Sequence, residues 1–334
     1  VPASAAVNES VKLVKGCGCA YASGLVNSVL RKVAKDGFTY EKTGDTTRDF
    51  SIMYSCPEAL INKFIEDYGE EKTEKILLSS IGARPVTARV NTLKASPDEL
   101  ITLLSGENVV AEKCPEDENY IILKNTGAVE ELKAYKAGFF HVQDISCGKA
   151  VKALSPKAGD TVFDMCSSPG GKAFTAAQLM KNKGKILAFD LYPQRVKLCE
   201  EGALRLGIDI IEAKVGDACV FLPEYEKAAD KVLCDVPCSG FGIIGRKPEI
   251  RYKDIAIIDN LLPVQYNILA NAAKYVKSGG TLVYSTCTLS RAENEGVCEK
   301  FLGNNAEFRK ISFNTIIPTE NGGDCFFFAV FGRI

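Results

Sequence analysis

A single histidine, His141, occurs among 334 residues. Triads that depend on histidine are thereby excluded at every other position, and metal sites built from several imidazoles are excluded outright. No apolar run reaches the ~18 residues that would suggest a membrane span. Cysteine pairs with C-x-x-C spacing are missing, which removes the usual zinc signature. Internal repeats and low-complexity segments are absent. Net charge is only −1, so any nucleic-acid contact must come from a local basic patch.

What is present is an ordinary globular composition, 46% apolar and 25% charged, in a chain long enough for two or three domains. The 13 cysteines follow no secreted-scaffold spacing, so reduced thiols and a cytoplasmic location are expected. The first residue is Val1 and the segment behind it already reads as helix, as in a fragment of a longer protein.

Residues 1–37 carry apolar side chains at near-helical spacing, with Gly16 and Gly18 between two stretches. A linker is expected at Asp36-Gly37 and 43–46. A helix follows Pro57 and ends at Gly69. Then come a strand at Thr87–Val90, a helix capped by Ser96 with Pro97 and Glu99 in a capping box, a weak strand near Val109–Ala111, a strand at Tyr120–Leu123, a short helix at Val129–Tyr135 and a strand at Phe139–Val142. That order is βαββαβ, a split-βαβ plan that RNA-binding modules share with many others.

From about residue 158 strands and helices alternate: strands at Thr161–Asp164, Lys185–Asp190, Ile208–Ala213, Lys231–Asp235 and Thr281–Ser285, and helices at Gly170–Met180, Gln194–Leu206 and Leu262–Val276, the last with Pro263 in its first turn. Phe326–Phe331 is a closing strand. This alternation implies a doubly wound parallel sheet.

Chemistry gathers where strands end. Cys238 ends Leu233-Cys234-Asp235-Val236-Pro237-Cys238, and Cys287 ends Leu282-Val283-Tyr284-Ser285-Thr286-Cys287. Adjacent strands lie ~4.8 Å apart, so two thiols could face one substrate at one sheet edge. The turn Asp164-Met165-Cys166-Ser167-Ser168-Pro169-Gly170-Gly171-Lys172 is neither a phosphate loop nor a dinucleotide fingerprint. It is either a ligand cradle at a helix N-terminus or a plain βα turn. Asp190 could accept ribose hydroxyls, with Arg195 close behind, or cap a helix. Asp217, in Gly216-Asp217-Ala218, could reach an adenine amino group. The cations Arg246, Lys247 and Arg251 suit a phosphate backbone, or line a solvated loop. Zinc on Cys234, Cys238 and Cys287 is a further alternative. Glu293-Asn294-Glu295 read as acids opening a helix.

Together these motifs resemble the RsmB/NSUN family of RNA cytosine-5 methyltransferases, nearest its bacterial small-subunit type. The family's Cys-Ala-Ala-Pro-Gly-Gly-Lys stands as Cys166–Lys172, with Ser167 and Ser168 in place of the alanines. Its Asp-Ala-Pro-Cys-Ser-Gly stands as Asp235–Gly240, with Val236 in place of alanine. Its Thr-Cys before Glu-Asn-Glu is Thr286-Cys287, and its closing Asp-Gly-Phe-Phe is Asp324–Phe327 with Cys325 at the glycine. The resemblance implies a Rossmann-like methyltransferase sheet at 151–334, a ferredoxin- or RRM-like domain at 46–150 and a partial NusB-like helical segment at 1–45.

It also implies S-adenosyl-L-methionine as donor, held by Cys166, Ser167, Ser168, Pro169, Gly170, Gly171 and Lys172 around its methionine part. Asp190 and Arg195 lie by the ribose, Asp217 by the adenine, and Asp235 between cofactor and base. Cys287 would add to carbon-6 of a cytosine in 16S ribosomal RNA, Cys238 would serve release, and Asp235 would hydrogen-bond the base edge. The cytosine is expected single-stranded or flipped. The expected state is a monomer, with no metal and no membrane contact.

Transfer RNA or another RNA is an alternative substrate. An amino-group methyltransferase is disfavoured because Asp235-Val236-Pro237-Cys238 replaces Asn/Asp-Pro-Pro-Tyr/Phe. A non-catalytic RNA-binding assembly factor is disfavoured by the two thiols and three strand-end acids, and a nicotinamide dehydrogenase by the form of its first βα turn.

Overall fold

The computed structural model describes residues 2–37, 40–82, 85–317 and 323–334. The chain forms two compact units, Val1–Asp49 and Phe50–Ile334. In the first, α1 (Ala3–Gly16) packs on α2 (Ser23–Asp36). The pair has little core of its own: Val7 is buried, while Leu13, Tyr21, Leu25 and Val29 are exposed. The following α3 (Thr46–Tyr54) straddles the boundary.

The second unit holds two sheets. Helices α4 (Glu58–Tyr68) and α5 (Glu70–Ser79) precede β1 (Val86–Val90), α6 (Pro97–Ser105), β2 (Val110–Lys113), β3 (Tyr120–Lys124), α7 (Lys133–Lys136) and β4 (Phe140–Val142). The strands make an antiparallel sheet in the order β2-β3-β1-β4, and Ser96 and Glu99 form the expected capping box on α6. Helices α4 and α5 do not serve this sheet. Leu60, Ile61, Phe64, Ile76 and Leu77 share a core with Phe241, Ile244, Leu289 and Cys325, so they brace the loops beyond the large sheet.

The large sheet is built from β5 (Thr161–Asp164), β6 (Lys185–Asp190), β7 (Ile211–Val215), β8 (Ala229–Asp235), β9 (Val276–Thr286), β10 (Phe308–Ile316) and β11 (Phe326–Arg333). Between them run α8 (Ile145–Leu154), α9 (Gly171–Leu179), α10 (Pro193–Leu206), α11 (Ile257–Tyr275) and α12 (Val297–Asn304). The strand order is β10-β11-β9-β8-β5-β6-β7. Strands β5 to β9 pair in parallel, and β11 enters antiparallel beside β9. The chain winds one way from β5 through β6 to β7, then restarts on the other side with β8. Ligands of such sheets collect at that reversal, outside the carboxyl ends of the strands. No helix among the described residues is long and apolar enough to cross a membrane.

Three expectations are corrected. Helix α11 begins at Ile257, so Pro263 lies inside it rather than in its first turn. The third strand of the large sheet begins at Ile211, three residues later than the apolar run at Ile208 suggested. Glu293–Glu295 open the helix that continues as α12, but in a π-turn, Ala292–Gly296, rather than as ordinary first-turn acids, and Glu293 and Asn294 are fully buried.

Candidate active site

Strands β8 and β9 run parallel with Asp235 opposite Ser285, so the loops after them leave the sheet side by side. Cys238 and Cys287 lie one turn further on, both half-buried, and their sulfurs are 3.3 Å apart. This is hydrogen-bond contact between thiols, and it splits their acidities. The bond from Cys238, chiefly, holds the Cys287 thiol below the ordinary cysteine range against the opposing effect of burial, with Lys172 assisting. The same bond, reinforced by burial and by the negative charge of Glu293, pushes Cys238 well up. Cys287 is therefore the more acidic thiol of the pair and Cys238 the less acidic.

Lys172 projects from the first turn of α9 and donates to Asp235 at 2.7 Å. The second oxygen of Asp235 accepts from Ser285 Oγ, also at 2.7 Å. Asp235 thus stands between a buried cation and the β9 strand, near both thiols. Asp164, at the end of β5, is 1% exposed. Burial raises its pKa to about 7, with Lys172 opposing the shift.

The opposite half of the edge is formed mainly by backbone. The loop after β5 turns through Gly170, whose φ is +106° and where a Cβ would come within 2.3 Å of the Phe174 ring. Only glycine suits that position. No side chain caps α9, so its first N–H groups face the sheet edge free for a ligand. Asp190 accepts from Arg195 Nε with both oxygens at 3.0 Å, and Arg195 also donates to the Ser168 carbonyl at 3.0 Å. Asp217 is exposed at the rim of an apolar cleft lined by Met165, Phe189, Gly216 and Val220. Cys166 and Ser167 tuck inward, and burial pushes the Cys166 thiol far above its ordinary value.

The structure therefore brings Cys238, Cys287, Asp235 and Lys172 into one cluster, with Cys166–Gly171, Asp190, Arg195 and Asp217 along the adjoining edge. Cys234 is not part of that cluster. It is part of β8, with its side chain buried in the core, and among the described residues no group of three or more His, Cys, Asp or Glu could hold a metal. The cations Arg246 and Arg251 do not point at a phosphate. Arg246 pairs with Asp144 at 3.0 Å and Asp324 at 2.6 Å, and Arg251 donates to the carbonyls of Tyr54 and Ser80. Gly240, Gly242 and Gly245 spell G-x-G-x-x-G, but they lead into a short 3₁₀ turn at Pro248–Tyr252 rather than opening a helix, which is not the dinucleotide context.

Sequence reasoning missed the residues that hold the loops. Gly242 donates its N–H to the Cys287 carbonyl at 3.0 Å, and a Cβ there would collide with the carbonyls of Cys287 and Cys325 at 2.7 and 2.6 Å. Tyr68, on α4, donates to the Leu289 carbonyl at 2.7 Å. The only sequence signal was the density of small polar residues beside each cysteine.

The pattern has relatives. Residues 151–331 match the family described as 16S rRNA methyltransferase RsmB/F, residues 56–130 its ferredoxin-like domain, and residues 1–35 the NusB family. The chain is 37% identical over 311 residues to probable ribosomal RNA small subunit methyltransferase B of Bacillus subtilis, covering 92% of this chain and 69% of that protein. It is 34% identical over 354 residues to the protein of the same name from Synechocystis, covering 98% and 78%. Among solved structures, PH0851 matches with a TM-score of 0.82 at 30% identity, covering 97% of this chain and 75% of that one. NSun6 from Pyrococcus horikoshii, solved with SFG, matches with a TM-score of 0.75 at 23% identity, covering 83% and 98%; that likeness speaks to the fold. With both the sheet-edge geometry and the sequence in agreement, the chain belongs to the RsmB/F family of 16S rRNA methyltransferases.

Proposed function

We propose that this RNA methyltransferase modifies carbon-5 of a cytosine in small-subunit ribosomal RNA, as a cytoplasmic monomer, through a covalent bond between Cys287 and the base. The observation that supports the reading is the thiol pair, two sulfurs in hydrogen-bond contact at 3.3 Å at one sheet edge, with Cys287 the more acidic.

S-adenosylmethionine, the family's donor, supplies an electrophilic methyl group when bound. The chain fits it. The turn before α9 is held in shape by Gly170, where a Cβ would meet the Phe174 ring, the α9 N-terminus carries no side-chain cap, and the small cleft beside Asp217 is apolar. Cys166–Lys172 would surround its methionine end, Asp190 with Arg195 its ribose, and Asp217 its adenine.

The remaining chemistry belongs to the protein. The Cys287 thiolate adds to carbon-6, which makes carbon-5 enamine-like and able to take the methyl group. Asp235, fixed by Lys172 and Ser285, hydrogen-bonds the base edge. A proton must leave carbon-5 to water before the carbon-6–sulfur bond breaks and its electron pair returns to sulfur, and Cys238, next to Cys287, is the residue assigned to assist that release. Expulsion returns Cys287 as thiolate.

Cys287→Ala should abolish methyl transfer to 16S RNA, measured as 5-methylcytosine by bisulfite sequencing, while donor binding by calorimetry persists. Normal turnover by that variant would falsify the assignment. Cys238→Ala should accumulate a protein–RNA adduct on denaturing gels.

A further inference from the structure

A buried carboxylate lies behind the thiols, outside the reacting cluster. Glu293 is fully buried and forms no ion pair among the described residues. An uncompensated buried charge is costly unless its hydrogen bonds are excellent, and these are. Oε1 accepts from the Ser239 N–H at 2.8 Å and from Gln265 Nε2 at 2.9 Å. Oε2 accepts from Ser239 Oγ at 2.6 Å and lies 3.3 Å from Thr288 Oγ1. The two hydroxyls are themselves 2.7 Å apart. Gln265 also donates to the Pro237 carbonyl at 3.0 Å.

Its neighbour completes the pattern. Asn294 accepts from Thr286 Oγ1 at 2.6 Å and donates to the Thr288 carbonyl at 3.0 Å. The π-turn that carries both residues is anchored by Tyr284, whose hydroxyl donates to the Glu293 carbonyl at 2.6 Å. So Ser239, next to Cys238, and Thr286 and Thr288, on either side of Cys287, are gripped from one π-turn, while Gln265 of α11 ties the Pro237 carbonyl to the same carboxylate. Extra residues in a helical turn of this kind often mark a functional position.

We propose that Glu293 is a positioning residue that locks the two cysteine-bearing loops in register, so that the sulfurs of Cys238 and Cys287 stay in hydrogen-bond contact. Its contacts reach the residues next to the cysteines on two different loops, and no other carboxylate among the described residues bridges them. A merely structural acid would need no such symmetry. The negative charge of Glu293 also helps keep Cys238 protonated. Substrate and cofactor need not touch it.

The inference rests on the assignment of Cys287 as nucleophile, and the test separates the two. In Glu293→Gln an amide replaces one of the two oxygens and the charge is gone; in Ser239→Ala one donor to that carboxylate is removed, a milder change if the first variant does not fold. Three quantities are measured on folded protein: iodoacetamide labelling of Cys287 against pH, read by mass spectrometry without RNA; donor affinity by calorimetry; and single-turnover methylation. Labelling of Cys287 at neutral pH should slow about tenfold with its pH midpoint moved upward, and methylation should slow about tenfold or more, with donor affinity unchanged. Parent-like labelling in both variants overturns the proposal, as does a rate loss that tracks only the unfolded fraction or a parallel loss of donor affinity. Because labelling needs no methyl transfer, an active Cys287→Ala would sink the nucleophile assignment and leave the register measurement standing.

Discussion

The two halves of the large sheet's functional edge are held by different means. Beyond β5, β6 and β7 the shape is made by backbone: a glycine turn with a positive φ, an uncapped helix start and small residues, with the Asp190–Arg195 pair as the main ionic tie. Beyond β8 and β9 the shape is made by side chains: Lys172 on Asp235, Glu293 and Asn294 on both cysteine loops, and α4 and α5 packed behind. A pocket for a constant ligand can be lined by main chain, because its shape need not depend on side-chain charge. A reacting centre needs fixed electrostatics, and side chains supply them. Single polar substitutions should therefore cost more on the second half than on the first.

The largest test of that contrast is Lys172→Met. It strips the cation from Asp235 and from the neighbourhood of Cys287, and single-turnover methylation should fall by roughly 100-fold or more, with Cys287 labelling shifted to higher pH. A loss confined to donor affinity would move Lys172 to the other half. Next is Asp190→Asn, expected to weaken donor binding about tenfold by calorimetry while the rate at saturating donor stays near that of the parent. A collapse of that saturated rate would break the contrast. Gly170→Ala should cost about 1–3 kcal/mol of stability, read as a lower denaturation midpoint, because an L side chain is strained at that φ and meets Phe174.

The smallest effect is on pH. Asp164 keeps its proton in the folded protein to about pH 7, whereas the unfolded carboxyl releases it near 3.8. Between those values the folded state binds the extra proton, so this group's contribution to stability falls as pH rises and stays lower above 7. Asp164→Asn removes the penalty. Its melting temperature relative to the parent should improve from pH 5 to pH 8, and a constant gap would contradict the buried-acid reading.

Much of this edge could be read from residues alone. Apolar β-prone runs that break into Pro-Cys-Ser-Gly and Thr-Cys-Thr announce strand ends, and the thiols do meet there. The supports were less legible. Glu293 reads as an ordinary first-turn acid until the π-turn rotates it inward, and Arg246 reads as a phosphate ligand until two distant aspartates claim it. Helix α5 and strand β10 escaped notice because their apolar residues are diluted by Glu, Lys, Arg and Asn. Helix α8 was hidden by an Ala-, Ser- and Gly-rich segment with little periodic contrast. Pro263 suggested a helix start because a first-turn proline is common, yet α11 accommodates it two turns in. In each case tertiary contacts between distant segments overrode the local signal.

One tie has consequences for how the protein comes into being. Arg246 joins Asp144 to Asp324, Ser146 donates to the Asp324 carbonyl, the Cys325 N–H donates to the Gly242 carbonyl, and β11 covers the side of β9. Every catalytic motif is translated before residue 324, yet the loop bearing Gly242 and the strand bearing Cys287 lack their final partners until that stretch leaves the ribosome. A nascent or prematurely stopped chain that ends before residue 324 would carry both cysteine motifs and still have an unfinished reaction centre, so synthesis itself delays competence until that stretch has emerged.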